Sequence, residues 1–346
     1  MKAVACLMLA AVSLLAHNVQ AAVTPNWKYP GLSAKDVPQM IIFTHDDNTN
    51  SVSLRAVTEI TRKHSNPNGC KINAAFYTTG DLSDCKSVRA LYNIGHEIAG
   101  HTMSHRDLAK LSNSEKKKEI VGIQNWITKC GLPKSSIWGH RSPYLSDDAA
   151  VRTILDQSGY RYDTSIPEVY DSPTSPSANR RLLPYTMDKG VAQMYSCKWF
   201  GNINHCTSSE KHAGLIEIPL WMYQKSSNTP SVNDLMDPPN PYKILKAEFD
   251  RNYIANRAPV GIWTHTSTGY LTKKGVRDQI SQFLKYALAK PNVWVVTPRQ
   301  LAQYMENPVP ASKMAAFMAR TGGCSKTGVP RGPLSRLFDL SNKTAV

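Results

Sequence analysis

The chain has 346 residues, of which 41% are hydrophobic and 19% are charged, a composition typical of a globular protein that buries a sizeable core. Its formal net charge of +15 favours acidic surroundings, such as an anionic cell wall or matrix. No nucleic-acid-binding motif accompanies this charge, and we therefore expect no nucleic-acid partner.

The first 22 residues have the pattern of a secretory signal peptide. Lys2 supplies a positive start, residues 3–16 form an apolar run, and small residues precede a cleavage point near Ala21 or Ala22. A membrane anchor is the alternative, but this run is shorter than the roughly 20 residues that span a bilayer. No later segment is long and apolar enough either, so we expect a secreted, extracellular protein without membrane insertion.

Cysteine usage agrees with export. Cys6 lies in the signal peptide, and an even number of cysteines remains in the mature chain, which predicts three disulfides. Cys197 and Cys206 are close in sequence and are the first pair we predict. Partial pairing or buried thiols remain the alternative for the other four. The mature cysteines, which are too scattered for a structural zinc cluster, are Cys70, Cys85, Cys130, Cys197, Cys206 and Cys324.

Strand and helix patterns alternate after a proline-containing lead-in. The predicted strands are 40–44, 72–77, 95–99, 137–139, 160–162, 215–220, 260–264 and 293–296. The predicted helices are 53–64, 82–94, 112–129, 147–157, 242–257, 273–289 and 298–305. Ser112 and Glu115 form a capping box for the third of these helices. The alternation predicts an α/β protein whose parallel β/α units close into a barrel.

This pattern divides the chain into four parts. Residues 1–22 are the predicted signal peptide, 23–38 the lead-in, 39–310 the main folded domain, and 311–346 a basic C-terminal tail that we expect to be largely disordered. Residues 170–204 interrupt the alternation and are rich in Pro, Ser and Asn, which indicates a long ordered insertion. We expect the protein to be a monomer.

Polar side chains follow several predicted strands. In a barrel the carboxyl ends of the strands share one face, so these residues would converge there. Each is a residue type suited to metal binding, proton transfer or holding a carboxylate. They are Asp46, Asp47, His101, His105, Arg141, Asp163 and His265.

Two imidazoles and a carboxylate in this set suit a catalytic metal site. His101 and His105 are four residues apart, and together with one aspartate they would leave open positions on a divalent ion for water and substrate. The alternatives are that Asp46-Asp47 is a polar turn or helix cap and that the histidines lie on the surface by chance. Arg141 either makes a surface salt bridge or holds a buried carboxylate bidentately.

The chain resembles the polysaccharide deacetylase family, carbohydrate esterase family four, over residues 39–305. The resemblance is carried by five motifs in order, and is closest to the chitin deacetylase-like branch of animals. The motifs begin at Thr44 (THDD), His101 (HTMSH), Arg141 (RSPY), Asp163 (DTS) and Trp263 (WTH).

The resemblance implies a distorted (β/α)7-8 barrel that binds a divalent metal. Zn²⁺ is the expected ion and Co²⁺ is the alternative. By position, Asp47, His101 and His105 would be the metal ligands. Asp46 would be the general base and Arg141 would hold it. His265 would be the general acid and Asp163 would orient it, while the backbone amide of Tyr144 would stabilise the oxyanion.

The function implied is removal of N-acetyl groups from chitin or chito-oligosaccharides, with acetate and glucosamine units as products. Two alternatives remain: deacetylation of another polymer such as peptidoglycan or xylan, and a catalytically silent chitin-binding or matrix protein. The chain departs from the family pattern at His45, where an aromatic residue is usual, and at His140, where an apolar residue is commoner. Neither departure removes a functional atom.

Overall fold

The protein is described from a computed structural model, which covers residues 28–168, 181–193, 197–198, 200–223, 236–322 and 324–328. The predicted signal peptide, much of the predicted insertion and the end of the tail lie outside these ranges. Within them, no helix combines the length and apolar character that crossing a bilayer requires.

The strands follow the predicted order, with short additional strands between them. They are β1 (Gln39–Asp47), β2 (Ala75–Thr78), β3 (Glu97–Gly100), β4 (Gly139–His140), β5 (Asp147–Asp148), β6 (Tyr162–Asp163), β7 (Pro167–Glu168), β8 (Tyr185–Met187), β9 (Asn204–His205), β10 (His212–Glu217), β11 (Leu220–Trp221), β12 (Val260–His265) and β13 (Val293–Val296).

The helices lie in the predicted intervals, and one further helix follows the last predicted one. They are α1 (Ser51–Thr61), α2 (Cys85–Asn93), α3 (Asn113–Lys129), α4 (Ala149–Ser158), α5 (Pro241–Ile254), α6 (Lys274–Leu288), α7 (Pro298–Glu306) and α8 (Met314–Thr321). The predicted capping box is present, because Ser112 accepts from the amide of Glu115 and Glu115 accepts from the amide of Ser112.

The main sheet has nine strands in the order β12-β1-β2-β3-β4-β6-β10-β8, and β13 also pairs with β1. Residues 41–46 of β1 pair with β12, while β13 pairs with residues 39–42 and β2 with residues 44–47. All these pairs are parallel except the antiparallel pair of β8 with β10. The sheet is curled into an open half-barrel, which confirms the predicted α/β fold of the distorted barrel type.

Burial of the central strand on both faces explains its uninterrupted apolar sequence. Met40, Ile41, Ile42 and Phe43 are fully buried, since the sheet packs against helices on one face and curls around its own side chains on the other. Parallel strands bring their carboxyl ends to one edge of the sheet, and the end of β1 carries Asp46 and Asp47.

The fold continues past the predicted boundary at residue 310. A 3₁₀ turn at Ala311–Lys313 leads directly into α8, which buries Met314, Phe317 and Met318 against the core. These apolar residues recur at the three- and four-residue spacing of a helix face, a signal too short to stand out in a basic segment. The fold therefore includes residues 311–322, while residues 329–346 of the predicted tail lie outside the described ranges.

Three disulfides join the six cysteines that follow Cys6, as predicted, and one of them is the predicted Cys197–Cys206 pair. Cys85–Cys130 joins the start of α2 to the end of α3. Cys70–Cys324 joins residues separated by 254 positions. Next to this disulfide, Lys71 N donates to Ser325 O at 2.7 Å, so a backbone hydrogen bond also attaches the C-terminal segment.

Replacing both Cys70 and Cys324 with serine is expected to lower the free energy of unfolding by about 2–4 kcal/mol, because the bond closes a long loop of the unfolded chain. Urea unfolding of the two proteins measures the change. Serine replacement of Cys197 and Cys206, which close a loop between residues nine positions apart, is the comparison and should lower global stability less. Equal losses for the two pairs would contradict the loop-length argument.

Candidate active site

Polar residues that follow different strands converge at the carboxyl edge of the sheet. Several have positive φ, a conformation uncommon for residues other than glycine. The φ angles are 81° at Asp47, 67° at Thr102, 54° at His105, 57° at Tyr144 and 53° at Asp237. Each such residue costs roughly 1–2 kcal/mol of backbone energy, and strained conformations of this kind concentrate at functional sites.

The three predicted metal ligands lie together. Asp47 ends β1, while His101 and His105 belong to the loop after β3, and one ligand atom from each lies within 4.8 Å of the others. Asp47 Oδ1 is 3.4 Å from His101 Nε2 and 3.0 Å from His105 Nε2. In the described part of the chain, these three side chains have the spacing that metal ligands need.

Hydrogen bonds outside the trio prepare its atoms for a cation. His101 Nδ1 lies 2.7 Å from the carbonyl oxygen of Arg141, which accepts the ring N–H and leaves the lone pair of Nε2 facing Asp47. Ser267 Oγ donates to Asp47 Oδ2, which leaves Oδ1 for the histidine side. This donor set of two imidazole nitrogens and one carboxylate suits Zn²⁺ or Co²⁺, so the residues fit a divalent metal.

Electrostatics keep the carboxylate of this trio charged. Burial raises the pKa of Asp47, but the neighbouring imidazoles of His101 and His105 and the hydrogen bond from Ser267 outweigh burial and hold that pKa far below its ordinary value. Asp47 is therefore ionised at any pH at which the protein would work, as a metal ligand must be.

Asp46, the predicted base, is 1% exposed and faces Arg141. Arg141 Nη1 donates to Asp46 Oδ1 at 2.7 Å and to Thr44 Oγ1 at 3.0 Å. This is the contact that the sequence predicts, but only one carboxylate oxygen accepts from the guanidinium, so it is not bidentate. Asp46 Oδ2 is therefore not engaged by Arg141.

Arg141 is fully buried and held on every side. Its Nε donates to the carbonyl oxygen of Thr164 at 3.2 Å and its Nη2 to Thr164 Oγ1 at 3.3 Å. The guanidinium carbon lies 4.1 Å from the ring centre of Tyr77 and 4.9 Å from that of Trp263. A Cβ at Gly261 would lie 2.0 Å from the Trp263 ring, so glycine is required there for this packing.

His265 is the cross-strand neighbour of Asp46, because the two are register partners of β12 and β1. Its orienting carboxylate is Asp237, which accepts from His265 Nδ1 at 3.0 Å and from the His265 backbone amide at 2.9 Å. The prediction that Asp163 makes this contact is wrong. Asp237 was missed because it lies in an Asp-Pro-Pro turn with no predicted strand before it, and no local pattern distinguishes it from other turn residues.

Asp163 lies behind the loop that carries Arg141. It is fully buried, accepts from Ser165 Oγ at 2.7 Å, and is 3.6 Å from His140 Nδ1. Ser165 Oγ in turn accepts from the backbone amide of Ser142 at 2.9 Å. Asp163 therefore holds the backbone that follows Arg141 instead of orienting His265. Burial lowers the pKa of His140, which is consistent with a neutral ring in this packing.

The ion pair with Asp237 keeps His265 protonated. Burial lowers the pKa of His265, but the hydrogen bond to Asp237 and the negative charges of Asp46 and Asp237 outweigh burial and raise the pKa to about 9. A proton on His265 is therefore present at neutral pH and is lost as the pH rises through about 9.

Replacing Asp237 with asparagine is expected to move the alkaline limb of the kcat/KM profile to lower pH by about 1–2 pH units, because the carboxylate that favours the charged imidazole is lost. Acetate release measured from pH 6 to 10 tests this. Asp278→Asn, at an exposed position on α6, is the control and should leave the limb in place. An unchanged limb in Asp237→Asn would show that His265 does not set it.

Tyr144 lies beside the metal ligands with its side chain 62% exposed. Its ring centre is 4.8 Å from that of His105, in an edge-to-face arrangement. A cavity of about 500 Å³ opens next to these two residues. Its remaining walls, which include two cations and a carboxylate, are Arg106, Asp107, Lys110 and Leu111.

His45 connects the end of β1 to the segment after His265. The ring is fully buried, and its Nε2 lies 2.9 Å from Thr266 Oγ1. Because Thr266 Oγ1 donates to Asn48 Oδ1 at 3.2 Å, it accepts from His45 Nε2–H. Burial and the neighbouring His265 lower the pKa of His45 to about 3, so the ring is neutral.

Comparison with known families gives one matching family model. Residues 34–162 match the model described as polysaccharide deacetylase, and this range includes Asp46, Asp47, His101, His105 and Arg141. His265 and Asp237 lie beyond it.

Two proteins of Bombyx mori are similar to this chain. The chain is 30% identical to chitin deacetylase 1 over 87% of its own length and 57% of that protein, and therefore spans little more than half of this relative. It is 26% identical to chitin deacetylase 8 over 82% of its own length and 74% of that protein.

The fold is similar to a solved structure from Mycobacterium smegmatis of a protein assigned to the polysaccharide deacetylases. The superposition has a TM-score of 0.53 with 15% sequence identity, and covers 82% of this chain and 94% of that one. At this identity the likeness supports the fold alone.

Proposed function

We propose that the chain, a member of the polysaccharide deacetylase family, is a metal-dependent hydrolase that removes N-acetyl groups from chitin or chito-oligosaccharides. The observation that carries the proposal is the placement of two groups capable of proton transfer beside a metal site. Asp46 and His265 are cross-strand neighbours on β1 and β12, and Asp47 follows Asp46 directly.

Asp47, His101 and His105 would hold the divalent ion, for which Zn²⁺ is the first choice and Co²⁺ the second. When bound, such an ion supplies a Lewis acid that polarises the acetyl carbonyl and makes a water molecule more acidic. The protein contributes the fixed geometry of the site, since Arg141 O and Ser267 Oγ orient His101 and Asp47.

Asp46 is the proposed general base. Arg141 engages only Oδ1, so Oδ2 is available to take a proton from the attacking water. The positive guanidinium keeps the carboxylate in one orientation, and its burial between Tyr77 and Trp263 prevents Arg141 from moving away. Arg141 is thus a positioning residue for the base.

His265 is the proposed general acid, and Asp237 replaces Asp163 as the residue that orients it. The sugar amine is a poor leaving group unless it is protonated, and the proton held on His265 can be transferred to it. With its Nδ1–H donated to Asp237, the ring leaves Nε2 to deliver that proton. The reaction then yields acetate and a free glucosamine unit.

The backbone amide of Tyr144 is the proposed oxyanion donor. Amide groups fixed before reaction stabilise the negative charge that develops on the carbonyl oxygen. The exposed Tyr144 ring and the cavity of about 500 Å³ beside it offer space for a neighbouring sugar of a polymeric substrate. An aromatic surface next to polar side chains suits a sugar, which has both an apolar face and hydroxyl groups.

Chitin is proposed as the substrate because both Bombyx mori relatives are named chitin deacetylases. Secretion is proposed from the signal-peptide pattern in residues 1–22 and agrees with the three disulfides, which persist in oxidising compartments. A monomer remains the expectation from sequence.

Acetate release from a panel of acetylated polymers tests the proposal. The full-length protein, supplied with Zn²⁺, is incubated with chitin oligomers of increasing length, with acetylated xylan and with peptidoglycan. We expect acetate from the chitin oligomers and faster release from the longer ones. Activity on xylan alone would overturn the substrate class, and binding to chitin without acetate release by metal-loaded protein would favour a silent matrix protein.

A further inference from the structure

We infer that the disulfide-closed loop Cys197–Cys206 supports the loop 141–145 of the active site, with Asn204 as the positioning residue. For its effect on catalysis, the inference rests on the proposed role of the Tyr144 amide. The contacts themselves are independent of that role. This disulfide-closed loop overlaps the end of the predicted insertion 170–204, for which the sequence predicts no function.

The loop 141–145 has a backbone conformation that needs outside support. Tyr144 and Leu145 are consecutive and both have a φ of 57°, which is unfavourable for residues with side chains. The hydrogen bonds within the turn run from Leu145 N to Ser142 O at 3.0 Å and from Ser146 N to Pro143 O at 3.0 Å. Such local bonds also occur in ordinary turns, so they do not by themselves select two left-handed residues.

Asn204 supplies a contact that does select this conformation. Its Nδ2 donates to the carbonyl oxygen of Leu145 at 2.6 Å and lies 3.4 Å from that of Ser165. The residue is 1% exposed, so water does not replace these bonds easily. Next to it, the amide of Asp147 donates to the carbonyl oxygen of Ile203 at 2.8 Å, which pairs the two segments directly.

The other end of the loop is fixed from the opposite side. Ser142 N donates to Ser165 Oγ at 2.9 Å, and Ser165 Oγ donates to Asp163 Oδ1 at 2.7 Å. The Tyr144 amide therefore lies between two anchored points, Ser142 and Leu145. One anchor comes from the strand region of β6 and the other from the disulfide-closed loop.

The position of Asn204 is itself set by two constraints. The Cys197–Cys206 bond closes the loop that contains it. Arg152 of α4, which is fully buried, donates to the carbonyl oxygen of His205 at 2.8 Å and pairs with Asp147 at 2.5 Å and Glu210 at 2.7 Å. Through Asp147, Arg152 fixes the segment that follows the active-site loop. Through His205 and Glu210, it fixes the segment that follows Asn204.

Loss of the Asn204 contact is expected to move the Tyr144 amide without disturbing the metal ligands. His101 is held by Arg141 O and Asp47 by Ser267, and neither bond involves Asn204. The consequence should be a kcat that falls more than KM rises, with little change in metal affinity, because an oxyanion donor acts on the transition state.

Asn204→Asp is the first test, since it keeps the shape of the side chain and removes the N–H donor. We expect kcat to fall by about 10- to 100-fold, the scale of a small misplacement of a catalytic group. Co²⁺ titration followed by visible absorption should give an unchanged affinity. Asn202→Asp, an exposed site in the same disulfide-closed loop, is the matched control and should keep the wild-type kcat.

Hydrogen exchange separates support of this loop from a general effect on folding. In Asn204→Asp the amides of Ser142, Tyr144, Leu145 and Ser146 should exchange faster, whereas those of α3 should not change. Faster exchange throughout the protein, with a lower melting temperature, would overturn the inference. Because exchange needs no substrate, this test stands even if the wild-type protein releases no acetate from any polymer, the result that would defeat the proposed function.

Serine replacement of Cys197 and Cys206 is the second test. It should lower kcat to a similar extent, and adding Asn204→Asp should lower it little further, because both changes remove the same support. A wild-type kcat in either variant, or losses that multiply fully, would overturn the inference.

Discussion

Asp46→Asn is expected to reduce kcat by about 10²- to 10⁴-fold, the range attributed to a positioned general base. In the wild-type protein Arg141 Nη1 lies 2.7 Å from Asp46 Oδ1, and asparagine keeps an oxygen that can accept this hydrogen bond. Asparagine cannot, however, take a proton from water. Acetate release at saturating substrate measures the loss. KM should change little, because the base acts in the transition state.

The buried guanidinium of Arg141 makes a folding control necessary. It is fully buried, and loss of its negative partner leaves a charge without compensation. Asp46→Asn should therefore be checked for Co²⁺ binding, which is expected to be unchanged because Asp46 is not among the ligand trio. Asp156→Asn, at an exposed position on α4, is the control for the substitution itself. A variant that binds metal normally and keeps full activity would exclude Asp46 as the base.

Removing the metal is expected to abolish activity. Dialysis against a chelator should bring acetate release to background, and added Zn²⁺ should restore it, because the water and the carbonyl then lose their Lewis acid. His101→Ala should weaken metal binding by at least about 100-fold. Loss of a group that only hydrogen-bonds to a metal ligand costs about 10- to 100-fold in affinity, and loss of the ligand itself should cost more. Metal content after gel filtration and Co²⁺ titration measure the binding.

The matched control for His101→Ala is His64→Ala. His64 lies just after α1, where its Nε2 is 2.7 Å from Ser281 Oγ, and it is not part of the trio. Its replacement should leave metal content and kcat unchanged. Activity in the chelated wild-type protein would contradict a metal-dependent mechanism, whereas a similar loss in both variants would indicate damage to the fold.

Much of the site follows from sequence because its residues stand at the ends of strands. Asp46 and Asp47 end β1, His101 follows β3, and His265 ends β12. Strand patterns are local, and parallel strands bring their ends to one edge whatever the loops do. Convergence of these residues was therefore predictable without knowing the path of any loop.

Partners supplied by loops were not predictable in this way. Asp163 also ends a strand, β6, yet its side chain contacts Ser165, while His265 pairs with Asp237. Which carboxylate reaches an imidazole depends on the side to which each side chain points and on the path of the segment before Asp237. Neither property is encoded in a pattern of a few residues.

Local patterns in the sequence predicted the alternation of strands and helices and the Cys197–Cys206 pair, and the family resemblance pointed to Asp47, His101 and His105 as metal ligands. The tertiary structure decided that Arg141 engages one oxygen of Asp46, that Asp237 orients His265, and that Asn204 reaches Leu145. These contacts join segments far apart in the chain, and long-range packing rather than local preference sets the distances between their atoms.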